Sequence, residues 1–281
     1  MTSMLKLHQI ILLVSLFLPF HSSLAESTIS IAGSSTLLPI MADAAKAYKA
    51  LTKSATNITV SGGGSGTGIN AAINGIAHIG MISRQPTAAE WSQLSEKFEL
   101  INIARDAVAI TVSKAVIESG INSLSINQVA DIYRGKIKNW RQVGGFDKKI
   151  LVIDKEPSRG TRHVFAKVVL GDAKARAPGA TIVSGSNNEE RSIISRSTQA
   201  IGMLSHAWLN DKARGIPLKL DSGKIVTASR DNVFDGSYPI QRNLSLVVAK
   251  NRSGELQSFI EFLQSPSLTP SIEKNGYFPL N

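Results

Sequence analysis

Ser61-Gly62-Gly63-Gly64-Ser65-Gly66-Thr67-Gly68 is the stretch that decides how this chain is read. Strand-forming residues, Ile58-Thr59-Val60, precede it, and a helical pattern over 69–76 follows. Glycines at a strand-to-helix turn expose backbone N–H groups, and the helix start behind them carries partial positive charge. Such a turn holds an oxyanion with few charged side chains. The arrangement recurs. Gly33-Ser34-Ser35-Thr36 joins a strand over 29–32 to a helix, and Ser158-Arg159-Gly160-Thr161 joins a strand over 150–153 to another. A single turn of this kind is ordinarily just a turn with a Ser or Thr cap. Three of them point to one anion site built from converging helix starts.

Nucleotide chemistry does not fit. The glycine run offers no register for Gly-x-Gly-x-x-Gly, and no Gly-Lys-Ser/Thr follows it. Short apolar strands alternate with helical patterns along most of the chain, which argues for an α/β fold with largely parallel sheets. Separate strands are expected at 100–104 and 108–113, and a helix at 162–170. In open α/β sheets the ligand lies beyond the carboxyl ends of the strands. All three turns lie at that edge, and two lobes facing each other would bring turns from both onto one ligand.

Residues 1–25 read as a signal peptide. Lys6 gives a basic start, an apolar run covers 10–20, and Ser23-Leu24-Ala25 is a small-x-small cleavage site. The run is short for a membrane span. The 281 residues contain no Cys, so disulfides, a thiol nucleophile and a lipidated Cys are excluded. A soluble exported protein of the periplasm or the medium is expected. Lys and Arg number 31 against 21 Asp and Glu, a balance that attracts anions. The basic residues are dispersed and aromatics are 6%, so nucleic acid is not the expected partner.

Catalytic chemistry finds little support. Beyond the signal segment the histidines are His78, His163 and His206, with no metal-ligand spacing among them. Ser158 and His163 lie outside any Gly-x-Ser-x-Gly elbow. No catalytic residue, metal or cofactor is expected. What the candidate site does hold is donors: the hydroxyls of Thr36, Ser65, Ser83, Ser158 and Thr161, and the charges of Arg84, Arg159 and Arg162. An arginine fork matches an oxyanion bidentately, and one of these three arginines is expected to touch the ligand.

These residues resemble the phosphate-binding proteins that feed bacterial phosphate ABC importers. The resemblance spans nearly all of the exported chain. It rests on Gly33-Ser34-Ser35-Thr36-Leu37-Leu38-Pro39, Gly64-Ser65-Gly66-Thr67-Gly68, Ile79-Gly80-Met81-Ile82-Ser83-Arg84 and Ser158-Arg159-Gly160-Thr161-Arg162. The most recognisable stretch is Asp131-Ile132-Tyr133-Arg134-Gly135-Lys136-Ile137-Lys138-Asn139-Trp140; Ala200-Ile201-Gly202-Met203 and Tyr238-Pro239-Ile240 complete the series. Tyr133 and Trp140 are expected to pack, not to bind.

The resemblance implies a two-lobed periplasmic binding protein fold of type II, with the ligand in the interlobe cleft. Lobe one is expected at 26–103 and 238–281, and lobe two at 104–237. It implies phosphate contacts at Thr36, Leu37, Ser65, Gly160 and Thr161; Ser35, Ser83, Arg84, Ser158 and Arg162 complete the candidate set. The implied function is capture of inorganic phosphate for a membrane permease, by a monomer without enzymatic activity. Another oxyanion, a small phosphorylated solute, or a secreted phosphatase or interaction protein on the same fold remain as alternatives. Two positions depart from better-known members. Ser83 stands where some carry an Asp acceptor, and Arg159 stands where Ser usually precedes Gly-Thr; an upstream Arg of those members aligns with Lys155.

Overall fold

The computed structural model describes residues 28–280; residues 1–25, expected to be a signal peptide, lie outside them. The chain opens with β1 (Thr28–Gly33), α1 (Leu38–Thr52), β2 (Asn57–Gly62), α2 (Ser65–Ile73), β3 (Ile79–Ile82) and α3 (Ala88–Leu94). The long β4 (Phe98–Ser113) leads to α4 (Lys114–Glu118), β5 (Leu124–Ser125), α5 (Ile126–Tyr133), β6 (Leu151–Lys155) and α6 (Gly160–Phe165). Next come β7 (Ile182–Ser184), α7 (Asn187–Arg196), β8 (Ala200–Ser205), β9 (Ala213–Gly215), β10 (Leu218–Lys219), β11 (Ile225–Val226) and α8 (Arg230–Phe234). The chain then returns through β12 (Gln241–Ala249), α9 (Gly254–Gln264) and α10 (Thr269–Lys274).

The main sheet runs β2-β1-β3-β12-β4-β8-β6-β7, with β9 on β4. Its two ends are parallel, β1 with β2 and β3, and β6 with β7 and β8. Its centre is antiparallel: β12 pairs with β3 and β4, and β4 pairs with β8. The sheet is therefore more mixed than the alternation of elements suggests. A smaller sheet joins β11, β10 and β5. The expected strands at 100–104 and 108–113 are one strand, because Asp106 keeps an extended backbone through the charged break between them. Along β4, 98–107 faces β12, and 108–112 faces β8. One hydrophobic core contains Ile103, Ala104 and Leu244; another contains Ala107, Val108, Tyr238 and Ile240. The chain thus makes two lobes, with β4 running from one core into the other.

Local rules account for the helices beneath the site. In α1 and its preceding turn, Leu37, Ile40, Met41, Ala44 and Tyr48 recur at helical spacing and are all buried. Each large side chain of that stripe gains about 1.5–3 kcal/mol from leaving water. A capping box starts α3, with Thr87 accepting from the Glu90 amide and Glu90 accepting from the Thr87 amide. The expected helix at 162–170 begins earlier, at Gly160, and its last turn widens to a π turn over Ala166–Leu170. Tyr133 and Trp140 are fully buried, donating to the Ile153 and Gln199 carbonyls at 2.9 Å each. They pack, as the sequence suggests.

Candidate anion-binding site

On the first lobe the segments that follow β1, β2 and β3 are stitched together. Gly33 has φ of 135°, and a Cβ there would lie 2.3 Å from the Met81 carbonyl oxygen, so only glycine fits. Its own carbonyl accepts from the Gly63 and Gly64 amides at 2.7 and 2.9 Å. The Ser34 amide donates to Met81 O at 2.8 Å. These bonds fix three side chains close together. Ser34 Oγ donates to Ser83 Oγ at 2.8 Å, Ser83 N donates to Ser65 Oγ at 2.9 Å, and the Ser65 and Ser83 hydroxyls lie 3.3 Å apart.

The second lobe closes on this group. The Gly66 amide donates to the Ser158 carbonyl at 3.1 Å. Gly160 packs so tightly that a Cβ would sit 2.3 Å from Ser65 Oγ and 2.5 Å from Ser83 Oγ. Asn187, at the start of α7, donates to Thr36 Oγ1 at 3.2 Å. Thr36, Ser65, Ser83, Thr161 and Asn187 are all buried.

Arg242 sits among them. It donates to Thr161 Oγ1 at 3.0 Å, to Ser83 O and Oγ at 3.2 and 3.3 Å, and to Thr36 Oγ1 at 3.3 Å. Asp106 holds its other edge, and also accepts from Ser205 Oγ at 2.7 Å with His206 Nδ1 at 3.0 Å. Burial pushes the Asp106 carboxyl up, but the Arg242 guanidinium and the His206 and Ser205 hydrogen bonds outweigh it and hold it below the usual carboxylate range.

The hydroxyls of Thr36, Ser65 and Thr161 each accept a hydrogen bond from a nitrogen donor. Each keeps its own O–H proton to give away. A buried guanidinium with hydroxyl donors around it is suited to a small oxyanion. Residues 19–267 match a family model described as a PBP superfamily domain.

The chain belongs to the PBP superfamily. Among its PBP relatives, the phosphate-binding protein PstS of Bacillus subtilis (strain 168) is 29% identical over 259 residues, 91% of this chain and 82% of that one. PstS of Borreliella burgdorferi is 29% identical over 261 residues, 90% of each chain. Solved PBP structures agree. An ABC-type phosphate transport receptor from Vibrio cholerae superposes with a TM-score of 0.70 at 30% identity, covering 89% of this chain and 99% of that one. A Clostridium perfringens structure with bound phosphate, described as a phosphate ABC transporter substrate-binding protein, has a TM-score of 0.81 at 28% identity, covering 91% and 100%.

Within this PBP fold the sequence-derived candidates divide. Thr36, Ser65, Ser83, Gly160 and Thr161 come together around Arg242. Leu37 lies beside them with its side chain in the lobe-one core. Ser35 stays in its turn without joining the hydrogen bonds of this cluster. Ser158 contributes its carbonyl, not its hydroxyl, to the contact between lobes.

The three arginines singled out from the sequence are held elsewhere. Arg84 makes a fork with Glu90, both contacts at 2.7 Å. Arg162 bonds both Asp154 oxygens at 3.2 Å and the Ala173 and Ala175 carbonyls. Arg159 pairs with Glu156. Lys155 is buried against Glu190 and reaches the Ser186 carbonyl at 3.4 Å. Burial pushes its amine below the usual lysine range, with Glu190 opposing. The residues that sequence reasoning missed are Arg242, Asp106 and Asn187. A signal existed for Asp106, which with Arg105 interrupts a largely apolar run; Arg242, between Gln241 and Asn243 at the polar start of β12, carried none.

Proposed function

We propose that this protein captures inorganic phosphate between its lobes and passes it to the membrane permease of a phosphate ABC importer. The observation that carries the reading is the position of Arg242. Its guanidinium reaches Thr36 and Ser83 of one lobe and Thr161 of the other at a single buried point. The names of the relatives and the phosphate bound in the Clostridium structure support the choice of anion. The proposed contacts are Thr36, Ser65, Ser83, Gly160, Thr161, Arg242 and Asn187. Arg84 and Arg162 serve instead to tie down the flanking loops.

The lobes cross between Ala104 and Ala107 on β4, and between Ile240 and Leu244 at the start of β12. The change of core supports a return crossing a few residues later than the expected 238, since Tyr238 and Ile240 pack with Ala107 and Val108. An anion satisfied by both lobes favours their closed arrangement. We take the protein to be an exported monomer with 1–25 as its signal peptide, and to bind without turnover.

The test is calorimetric titration of phosphate-stripped protein with phosphate, sulfate and arsenate, alongside an assay with a chromogenic phosphate ester. One-to-one phosphate binding without product release is expected. Product release would favour the phosphatase reading, and no anion binding would overturn the assignment.

A further inference from the structure

A cavity of about 570 Å³ lies beside the cluster. It shares only Arg242 with it; Thr36, Ser65, Ser83 and Thr161 do not line it. Its walls come from both lobes. Arg84 and Arg105 stand on one side, and His163, Lys167 and Phe234 on the other, with no acidic residue in the lining. Two of its cations are already neutralised, Arg84 by Glu90 and Arg242 by Asp106. Arg105 and Lys167 have no carboxylate within ion-pair distance among the described residues. Arg105 instead lies over the Phe234 ring, 4.8 Å from its centroid, and Arg230 lies over the same ring at 4.8 Å. Val164, Val168 and Val233 supply an apolar wall.

This volume falls in the range of small-molecule sites, about 300–1,000 Å³. An inorganic ion would leave most of it unfilled and the valines unused. Unneutralised cations beside an aromatic and aliphatic wall match a molecule with one charged end and an apolar body.

We propose that this cavity is a second binding site, for a small organic anion whose charged group sits between Arg105 and Lys167 and whose body packs on the valines and the edge of Phe234 that lines the cavity, its faces being covered by Arg105 and Arg230. The ligand would touch both lobes. The site does not depend on which oxyanion the Arg242 cluster takes.

Benzoate is a suitable probe, with acetate lacking the body and benzyl alcohol lacking the charge. It is titrated calorimetrically into the whole protein with inorganic phosphate present in saturating amount, and again with none. The phosphate titration by itself tests the first site, so failure there is separate from failure here. The expected result is saturable one-to-one benzoate binding in both conditions, with acetate and benzyl alcohol each weaker by about tenfold or more. Arg105→Ala and Phe234→Leu should each weaken benzoate about tenfold while leaving the phosphate titration within about threefold of the parent. The exposed Lys167→Ala gives the same reading should Arg105→Ala fail to fold. The proposal is overturned by an absence of saturable binding, by indifference to these variants, or by loss of benzoate binding under saturating phosphate, which would put benzoate in the Arg242 cluster.

Discussion

Arg242 and Asp106 stand directly opposite each other on β12 and β4, joined by Nε–Oδ2 at 2.8 Å and Nη2–Oδ2 at 2.5 Å. That two-nitrogen grip leaves Nη1 facing Ser83 and Thr161. Both charges are buried, so each depends on the other. Asp106→Ala strands a buried guanidinium and should destabilise the fold by about 3–5 kcal/mol, read from urea denaturation. Phosphate affinity should fall with it, because the guanidinium loses its anchor. Unchanged stability would mean that water replaces the carboxylate.

The two hydroxyl deletions should separate binding from stability. Thr161→Ala and Ser65→Ala should each weaken phosphate binding by about 1–3 kcal/mol in calorimetry. Ser65 also accepts the buried Ser83 amide at 2.9 Å. Its loss leaves that donor unpaired, so Ser65→Ala alone should also lower the thermal midpoint without ligand. Equal midpoints for the two variants would contradict this arrangement.

Gly160→Ala should block closure. The added methyl would overlap the Ser65 and Ser83 oxygens across the lobe contact. Phosphate affinity should drop by about 1–3 kcal/mol. Small-angle scattering should show a radius of gyration that shrinks with phosphate in the parent and much less in the variant. Equal compaction in both would place the lobe contact elsewhere.

Sulfate should compete measurably. A carboxylate acceptor in a site demands a proton on the ligand, which hydrogen phosphate has and sulfate lacks. By the family resemblance Ser83 stands where some members carry that Asp, and a hydroxyl donates or accepts. The nearby acids are engaged: Asp154 with Arg162, Glu156 with Arg159, and Asp106 with Arg242. Ser83→Asp should sharpen the preference for phosphate. Failure of sulfate to compete even in large excess would mean that an acceptor carboxylate faces the ligand.

The Arg84–Glu90 fork should show in acid unfolding. Burial pushes Glu90 up, but Arg84 and the Thr87 amide outweigh it and bring its carboxyl down to about 2. A depressed folded value means that its stabilisation is complete above the unfolded value and is lost as pH falls. The difference in urea midpoint between the parent and Glu90→Gln should therefore shrink between about pH 5 and pH 2. A difference independent of pH would remove the ion pair from the account.

Much of this could be read along the chain. The turns at Gly33, Gly64 and Gly160 were visible because glycine between a strand and a helix marks a close backbone approach, and Gly33 and Gly160 each leave no room for a Cβ. Capping boxes at Thr87 and Ser125 hold the starts of α3 and α5, each made by residues three apart in the chain. The break at Arg105-Asp106 was misleading, since a charged pair inside an apolar run looks like a loop. It stays in β4 because Arg242 lies opposite.

The sequence by itself determined the elements, the turns and the donor chemistry of the cleft, because these follow from residues near one another in the chain. Only the tertiary structure decided which cation occupies the cleft. Arg84, Arg159 and Arg162 stand beside the turns in sequence, yet their guanidinium groups pair with Glu90, Glu156 and Asp154 and not with the hydroxyls of the cluster. Arg242 enters it because the register of β12 on β4 sets it against Asp106, 136 positions away. A guanidinium goes where a buried carboxylate balances its charge, and that partner is fixed by strand pairing.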